Sequence, residues 1–303
     1  MFKHANKMIF KNVSLKPLTT YCIGGPAKYF FIAKNIYELF DILNWAKREG
    51  IPWFVLGRGS NLLINDNGFP GLVIKLGGDF KKIEINESYG LVSAGGGCSL
   101  PKLGITLINK GWSGFEYMCV IPGTIGAAVR INAGTTKEGE IKDRFVSAQV
   151  LMPDLQIKTL SANELNFSYR YSNLIKNNGI VLNATFNLET KESPKILKKR
   201  IKEIALKRRY KHPRNSKNCG SIFKRPKGKK SAGWYIEQVG LKGTRIGDAQ
   251  IALEHANWII NLGNARAKDV KALIELAQEK VMKKFNVKLE REVTYVPEDI
   301  ITK

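Results

Sequence analysis

Two glycine-rich stretches, Leu56-Gly-Arg-Gly-Ser-Asn61 and Pro122-Gly-Thr-Ile-Gly-Ala-Ala-Val-Arg-Ile-Asn-Ala-Gly134, have the composition needed to hold an anion with bare backbone. Glycine lacks a Cβ, so the chain can turn sharply and aim successive N–H groups at phosphate oxygens. Gly123 and Gly126 precede what reads as a short helix, whose N-terminal amides would add their dipole to the same charge. Ser60, Asn61, Thr124 and Asn132 are interleaved as hydrogen-bonding groups. One such loop reads equally well as a tight turn; two of them point to a bound dinucleotide. Neither is the Rossmann fingerprint, because Leu62 stands where the third glycine would fall after Gly57 and Gly59, and no G-x-x-x-x-G-K-[ST] run occurs. A different dinucleotide-binding fold is required.

A second group of residues has the types for proton and charge chemistry. Asn218-Cys-Gly-Ser-Ile-Phe-Lys-Arg-Pro226 sets a serine beside a glycine, with Lys224 three residues on. A hydroxyl among clustered cations suits an anionic substrate. With no histidine nearby and no Gly-x-Ser-x-Gly, Ser221 is a poor hydrolytic nucleophile, and a serine that closes a turn is the competing reading. Arg170, within Phe167-Ser-Tyr-Arg-Tyr-Ser172, and Glu292, within Val287-Lys-Leu-Glu-Arg-Glu-Val-Thr-Tyr295, carry charge among apolar and aromatic neighbours. Strand alternation there places Leu289, Arg291 and Val293 on one face and Glu290 and Glu292 on the other, and a solvated glutamate competes with a functional one.

The elements that must position these residues alternate along the first part of the chain. Tyr29 to Ile32 reads as a strand, Tyr37 to Arg48 as an amphipathic helix stopped by Gly50, and Ile51 to Leu56 as a strand running into the first loop. Ser99 is placed to cap a helix ending at Gly111. Val146 to Met152 and Gln156 to Leu160 form a hairpin around Pro153-Asp154, Ser161-x-x-Glu164 is a capping box, and Ile180 to Leu188 alternates as a strand. Proline and charge at Thr190 to Pro194 mark a boundary. The organisation expected is an N-terminal segment 1–20, a cofactor domain 21–190 and a smaller α+β domain 191–303. The last contains a helix over 195–210, with Leu197, Ile201, Ile204 and Ala205 on one face, and another over 267–285, with Val270, Leu273, Ile274, Ala277 and Val281.

The 303 residues, 44% hydrophobic and 25% charged, can build two domains with cores of their own. No signal peptide and no membrane span is legible, which predicts a cytoplasmic protein. Cys22, Cys98, Cys119 and Cys219 show no C-x-x-C spacing, and His4, His212 and His255 are dispersed, so neither disulfides nor a metal site is expected. The formal charge is +23, from 49 basic and 26 acidic side chains. Between Lys191 and Lys230 lie 17 Lys/Arg and 2 Asp/Glu, so that segment supplies +15 of it. Nucleic acid, a membrane surface or an acidic small molecule are the partners such a balance raises. No nucleic-acid recognition module is present, and a basic helix face reads first as solvated surface.

Eight short motifs follow one another along the chain: Thr19-Thr-Tyr-Cys-Ile-Gly-Gly-Pro-Ala27, Gly57-Arg-Gly-Ser-Asn-Leu-Leu-Ile64, Phe115-Glu-Tyr117, Ile121-Pro-Gly-Thr-Ile-Gly126, Asn132-Ala-Gly134, Tyr169-Arg-Tyr-Ser172, Cys219-Gly-Ser-Ile-Phe-Lys224 and Leu289-x-x-Glu-Val293. In this order they resemble the UDP-N-acetylenolpyruvoylglucosamine reductase (MurB) family, from about Thr19 to Val293. The resemblance, to the shorter of the family's two variants, implies an α+β chain: an FAD-binding domain of the vanillyl-alcohol oxidase or p-cresol methylhydroxylase type, then a smaller substrate-binding domain. It implies noncovalent FAD, with Gly57, Arg58, Gly59, Ser60, Asn61, Gly123, Thr124, Gly126, Ala127, Asn132 and Gly134 in its cradle, and NADPH as hydride donor.

The implied reaction reduces the enolpyruvyl ether of UDP-N-acetylglucosamine to a lactyl ether in peptidoglycan precursor synthesis. Arg170 would bind the substrate carboxylate, Glu292 would act as an acid or orienting partner there, and Ser221 would protonate the carbanion carbon. Lys224 and Arg225 would contact the substrate. Arg225 stands where the family usually has asparagine, Ala127 where a glycine is frequent, and Arg291 at a common proline position. A monomer with no nucleic-acid or membrane partner is expected. The alternatives are a basic nucleic-acid-binding protein and a related flavin oxidase for another small substrate.

Overall fold

The computed structural model describes residues 9–135, 137–213, 216–227 and 230–301. The chain mixes helices and strands throughout, an α+β composition. It divides into two compact units, neither contiguous: one holds Phe31–Gly57 and Ile74–Lys207, the other Phe10–Phe30, Arg58–Val73 and the chain from Arg208 onward. This division differs from the boundaries at 20 and 190 read from sequence, and residues 1–8 of the N-terminal segment lie outside the described residues.

The first unit is built on an antiparallel sheet in the order Ile157–Ser161, Phe145–Leu151, Ile180–Asn187, Leu91–Gly95, Ile83–Asn86. Alternation in Ile180–Asn187 sends Leu182, Ala184 and Phe186 inward. Leu100, Leu103 and Leu107 of the helix Leu100–Asn109 and Ile125, Ala128 and Val129 of the helix Ile125–Arg130 join that core. The expected hairpin pairs Ser147 with Ser161 and Leu151 with Ile157, and the capping box at Ser161 and Glu164 is formed. Two details differ. The strand expected over 51–56 is confined to Trp53–Val55, and Ser99 stands at its helix N-cap without a side-chain capping bond.

The helix Pro194–Lys211 buries Leu197 and Ile204 and half-buries Ile201, while Ala205 turns out to solvent. Its buried stripe is one residue narrower than periodicity suggests, and an ion pair adds to the contact of the helix. Arg200 Nη1 lies 2.6 Å from Glu116 Oε1, and Glu116 is only 4% exposed. Glu192 takes the same guanidinium at 2.9 and 3.1 Å, which holds the Glu192 carboxyl below the usual carboxylate range.

In the second unit the helix Ala267–Phe285 buries the expected face, Val270, Leu273, Ile274, Ala277 and Val281, against Ile236, Leu241, Ile251 and Ile259. Arg245–Ile246, Ala249–Ile251 and Ile259–Asn261 form an antiparallel sheet, and Leu62–Ile64 pairs in parallel with Thr294–Val296. Regular strand pairing thus begins only at Thr294, not at Leu289 as the alternation implied; before it there is a single bridge between Phe223 and Arg291. Arg291 forks onto Asp299 at 3.0 and 3.1 Å while its guanidinium lies 3.7 Å from the Tyr295 ring centroid.

The 267–285 helix is capped from a distant part of the chain. Asp66 accepts the amides of Ala267 at 2.8 Å and Lys268 at 3.2 Å, so a carboxylate meets the positive end of a 19-residue helix. Asp66→Ala is expected to lower unfolding stability by ~1 kcal/mol, and Asp66→Asn by less, read from denaturant midpoints. An unchanged midpoint for the alanine variant would show that the cap contributes nothing.

The four cysteines are free. Among the described residues no group of three or more His, Cys, Asp or Glu is placed to hold a metal ion, and no helix is long and apolar enough to cross a membrane.

Candidate active site

The first glycine loop is a row of backbone donors. Among the described residues the amides of Gly57, Arg58, Gly59 and Asn61 have no protein partner. Gly59 has φ +64°, and a Cβ there would come 2.8 Å from Leu18 O and 2.9 Å from Thr19 Cα, so only glycine fits. Its carbonyl accepts the Thr20 amide at 3.2 Å, which fixes the turn. In the first unit Gly57 lies against the second loop: a Cβ on it would be 2.8 Å from Thr124 Oγ1 and 3.5 Å from the Ala127 Cβ.

The second loop is similarly open at Gly123, Thr124 and Ala127, whose amides lack a protein partner among the described residues. Thr124 is the N-cap of Ile125–Arg130, but its hydroxyl does not cap the helix. Gly126 does not precede that helix; it lies within it, and its amide is taken by Gly96 O at 2.8 Å. It therefore does not offer its amide to an anion. Ala127 sits in the helix, a conformation any L-residue adopts.

Sequence reasoning passed over the run Gly95-Gly-Gly97 at the end of the strand Leu91–Gly95. Side chains at these positions would be driven into the carbonyl oxygens of Phe80, Val181 and Leu76, so the run lets backbone cross backbone and supplies the Gly96 carbonyl that seats the second loop. Three consecutive glycines were the available signal.

Backbone N–H groups seldom go without a partner where they are buried, and of these residues Gly59 and Gly123 are buried. A row of open amides on a glycine loop fits the diphosphate of a dinucleotide, so the residues present suit FAD.

The side chain of Asn132 and the carbonyl of Gly134, two residues expected in the cofactor cradle, are engaged with protein. Asn132 is fully buried with φ +46°; its Oδ1 accepts the Lys142 amide at 3.0 Å, and its Nδ2 donates to Ser168 O at 3.0 Å and to the Glu140 carboxylate. Gly134 leaves no room for a Cβ beside Glu140, and its carbonyl accepts from Arg170 Nη2 at 2.9 Å. Both serve Arg170. Ser168 and Tyr171 close a tight turn on which Arg170 takes φ +55°, a left-handed conformation uncommon outside glycine and asparagine. Ser172, fully buried, anchors the turn by donating to Arg130 O at 2.7 Å.

The second unit brings together Asn61, the Ser221 segment and Glu292. Asn218 Oδ1 accepts the Gly220 amide at 3.0 Å, and Gly220, at φ +83°, turns the chain into half-buried Ser221. The Ser221 hydroxyl makes no hydrogen bond among the described residues. Ile222 O accepts the Glu292 amide at 2.8 Å, and Glu292 O accepts Asn61 Nδ2 at 3.1 Å. Lys224, expected on the substrate, is paired with Glu290 at 2.5 Å, so a substrate anion would have to compete with that carboxylate. Arg225 is exposed. Cys219 is not a rival nucleophile: burial raises its thiol far above the ordinary value, and the charge of Glu292 adds to the shift.

Residues 27–161 match a family model described as an FAD binding domain, and residues 212–296 match the C-terminal domain of UDP-N-acetylenolpyruvoylglucosamine reductase. The chain is 42% identical over 299 residues to the enzyme of that name from Caldicellulosiruptor saccharolyticus, covering 97% of this chain and 93% of the relative. It is 40% identical over 296 residues to that of Listeria welshimeri, covering 96% and 98%. The crystal structure of the reductase (MurB) from Thermus caldophilus superposes with a TM-score of 0.79 at 37% identity, over 95% of this chain and 98% of that one. At these identities over nearly the whole of both chains, the chain belongs to the UDP-N-acetylenolpyruvoylglucosamine reductase family.

Proposed function

We propose that the protein reduces UDP-N-acetylglucosamine enolpyruvate to UDP-N-acetylmuramate, with NADPH as electron source, in peptidoglycan precursor synthesis. When bound, FAD supplies the hydride that reaches the vinyl carbon of the substrate. The residues that would hold its diphosphate are those with unpartnered amides, Gly57, Arg58, Gly59, Asn61, Gly123, Thr124 and Ala127.

Hydride arriving at the terminal carbon pushes negative charge onto the adjacent carbon and its carboxylate. Arg170 is assigned to that carboxylate; its turn is held by Asn132, Gly134 and Ser172, so the guanidinium is oriented before substrate arrives. Glu292 is assigned to the same carboxylate, where its own charge helps only when protonated or paired, hence as an acid or orienting partner. Ser221 delivers the proton: the π bond of the C=C is lost and two C–H bonds form on a C–C single bond, one hydrogen coming as hydride and one from the serine hydroxyl, whose oxygen is reprotonated by solvent. Its unengaged hydroxyl supports that role. Lys224 and Arg225 are assigned to the substrate's anionic groups.

The observation that carries this reading is the row of unpartnered amides on the two glycine loops of a chain from this family. The purified protein is expected to show flavin bands that NADPH bleaches and that enolpyruvyl-UDP-N-acetylglucosamine restores without oxygen. A chain that stays colourless with added FAD would overturn the reading, and a yellow chain blind to NADPH would favour a flavin oxidase for another substrate.

A further inference from the structure

The segment bearing Ser221 is held by a residue that no motif marked. Asn257 is 7% exposed, and its side chain behaves like a strand partner for residues 222 and 223. Its Oδ1 accepts the Phe223 amide at 3.0 Å, its Nδ2 donates to Phe223 O at 2.9 Å, and its own carbonyl accepts the Ile222 amide at 2.9 Å. On its other side the Ile222 peptide receives Glu292: Ile222 O accepts the amides of Glu292 at 2.8 Å and Val293 at 3.3 Å. Asn257 is itself fixed, its amide donating to His255 Nδ1 at 3.1 Å and Trp258 closing the turn onto His255 O at 3.0 Å.

We infer that Asn257 is a positioning residue for proton delivery: by clamping Ile222 and Phe223 it sets both the placement of Ser221 and its register with Glu292. The inference rests on the proposed roles of those two residues. Its physical basis is that a general acid acts only within hydrogen-bond reach of its target, so a shift of about 1 Å in a supporting segment costs rate without removing any reacting group. Asn257 is buried and spends both ends of its carboxamide on backbone, so no other side chain of similar size reproduces the clamp. Aspartate keeps the acceptor for the Phe223 amide but sets a second acceptor against Phe223 O. Leucine keeps the volume and loses both bonds.

The test uses the holoenzyme and separates its half-reactions by rapid mixing. For Asn257→Asp and Asn257→Leu, flavin reduction by NADPH is expected within about twofold of the parent. Reoxidation by enolpyruvyl-UDP-N-acetylglucosamine is expected to slow about ten- to thirtyfold, with a larger solvent deuterium isotope effect because protonation becomes limiting. By hydrogen exchange on the holoenzyme, the Ile222 and Phe223 amides are expected to exchange faster in both variants than in the parent. If the leucine variant does not fold, the aspartate variant decides. Unchanged reoxidation, an unchanged isotope effect, or an equal fall in both half-reactions would overturn the inference. Failure of the parent enzyme to be reoxidised by that substrate would instead remove the functional reading beneath it.

Discussion

Replacing Ser221 by alanine is expected to leave NADPH able to bleach the flavin while slowing reoxidation by the enolpyruvyl substrate about 10³-fold, the scale of a lost general acid. The substitution removes one oxygen that makes no hydrogen bond among the described residues, so the fold has nothing to lose. The segment stays clamped by Asn257 and joined to Glu292. Stopped-flow absorbance of the flavin, one half-reaction at a time, reads the split. Ser221→Cys, whose thiol is the stronger acid, is expected to recover part of the rate. If alanine abolished both half-reactions, or neither, Ser221 would not be the proton donor.

Arg170→Ala carries the second large effect, a fall of roughly 10² in kcat/KM for the enolpyruvyl substrate, corresponding to ~3 kcal/mol for a lost charge-assisted fork. Lysine should recover little, since one ammonium cannot present two parallel donors. The backbone at φ +55° supplies a control. Asparagine tolerates that conformation better than alanine, so Arg170→Asn is expected to be the more stable variant while remaining as inactive. Steady-state kinetics set beside thermal midpoints separate the two contributions. An Arg170→Ala enzyme with unimpaired kcat/KM would remove this residue from the substrate carboxylate.

What was legible in the sequence was local. The apolar face of Ala267–Phe285 follows from the spacing of Val270, Leu273, Ile274, Ala277 and Val281, and all five are buried. The 145–161 hairpin and its capping box follow from Pro153-Asp154 and from Ser161 and Glu164. Contacts made across long stretches of chain leave no periodicity. Asp66 capping a helix that begins at Ala267, and Asn257 clamping Phe223, are single polar residues in unremarkable surroundings.

At the site, the glycine loops were visible because glycine is informative by itself, yet which amides stay open was not. Gly126 gives its N–H to Gly96, a partner thirty positions earlier. Asn132 and Gly134 stand out in the sequence as part of a glycine-rich motif, but their support of the Arg170 turn is visible only in space. The alternation over Leu289 to Val293 imitated a strand because Leu289 and Val293 are both buried, although regular pairing starts only at Thr294.

The pairing of Leu62–Ile64 with Thr294–Val296 has a consequence for how the protein is made. The short strand leaves the ribosome more than two hundred residues before its partner, as does Asp66 before the helix it caps. Until translation is nearly complete these early segments stay unsatisfied, which exposes apolar surface to premature association and makes the nascent chain a natural client for chaperones. A polypeptide started at residue 191 would carry the late partners without the early ones, and its sheet edge and helix start would remain open.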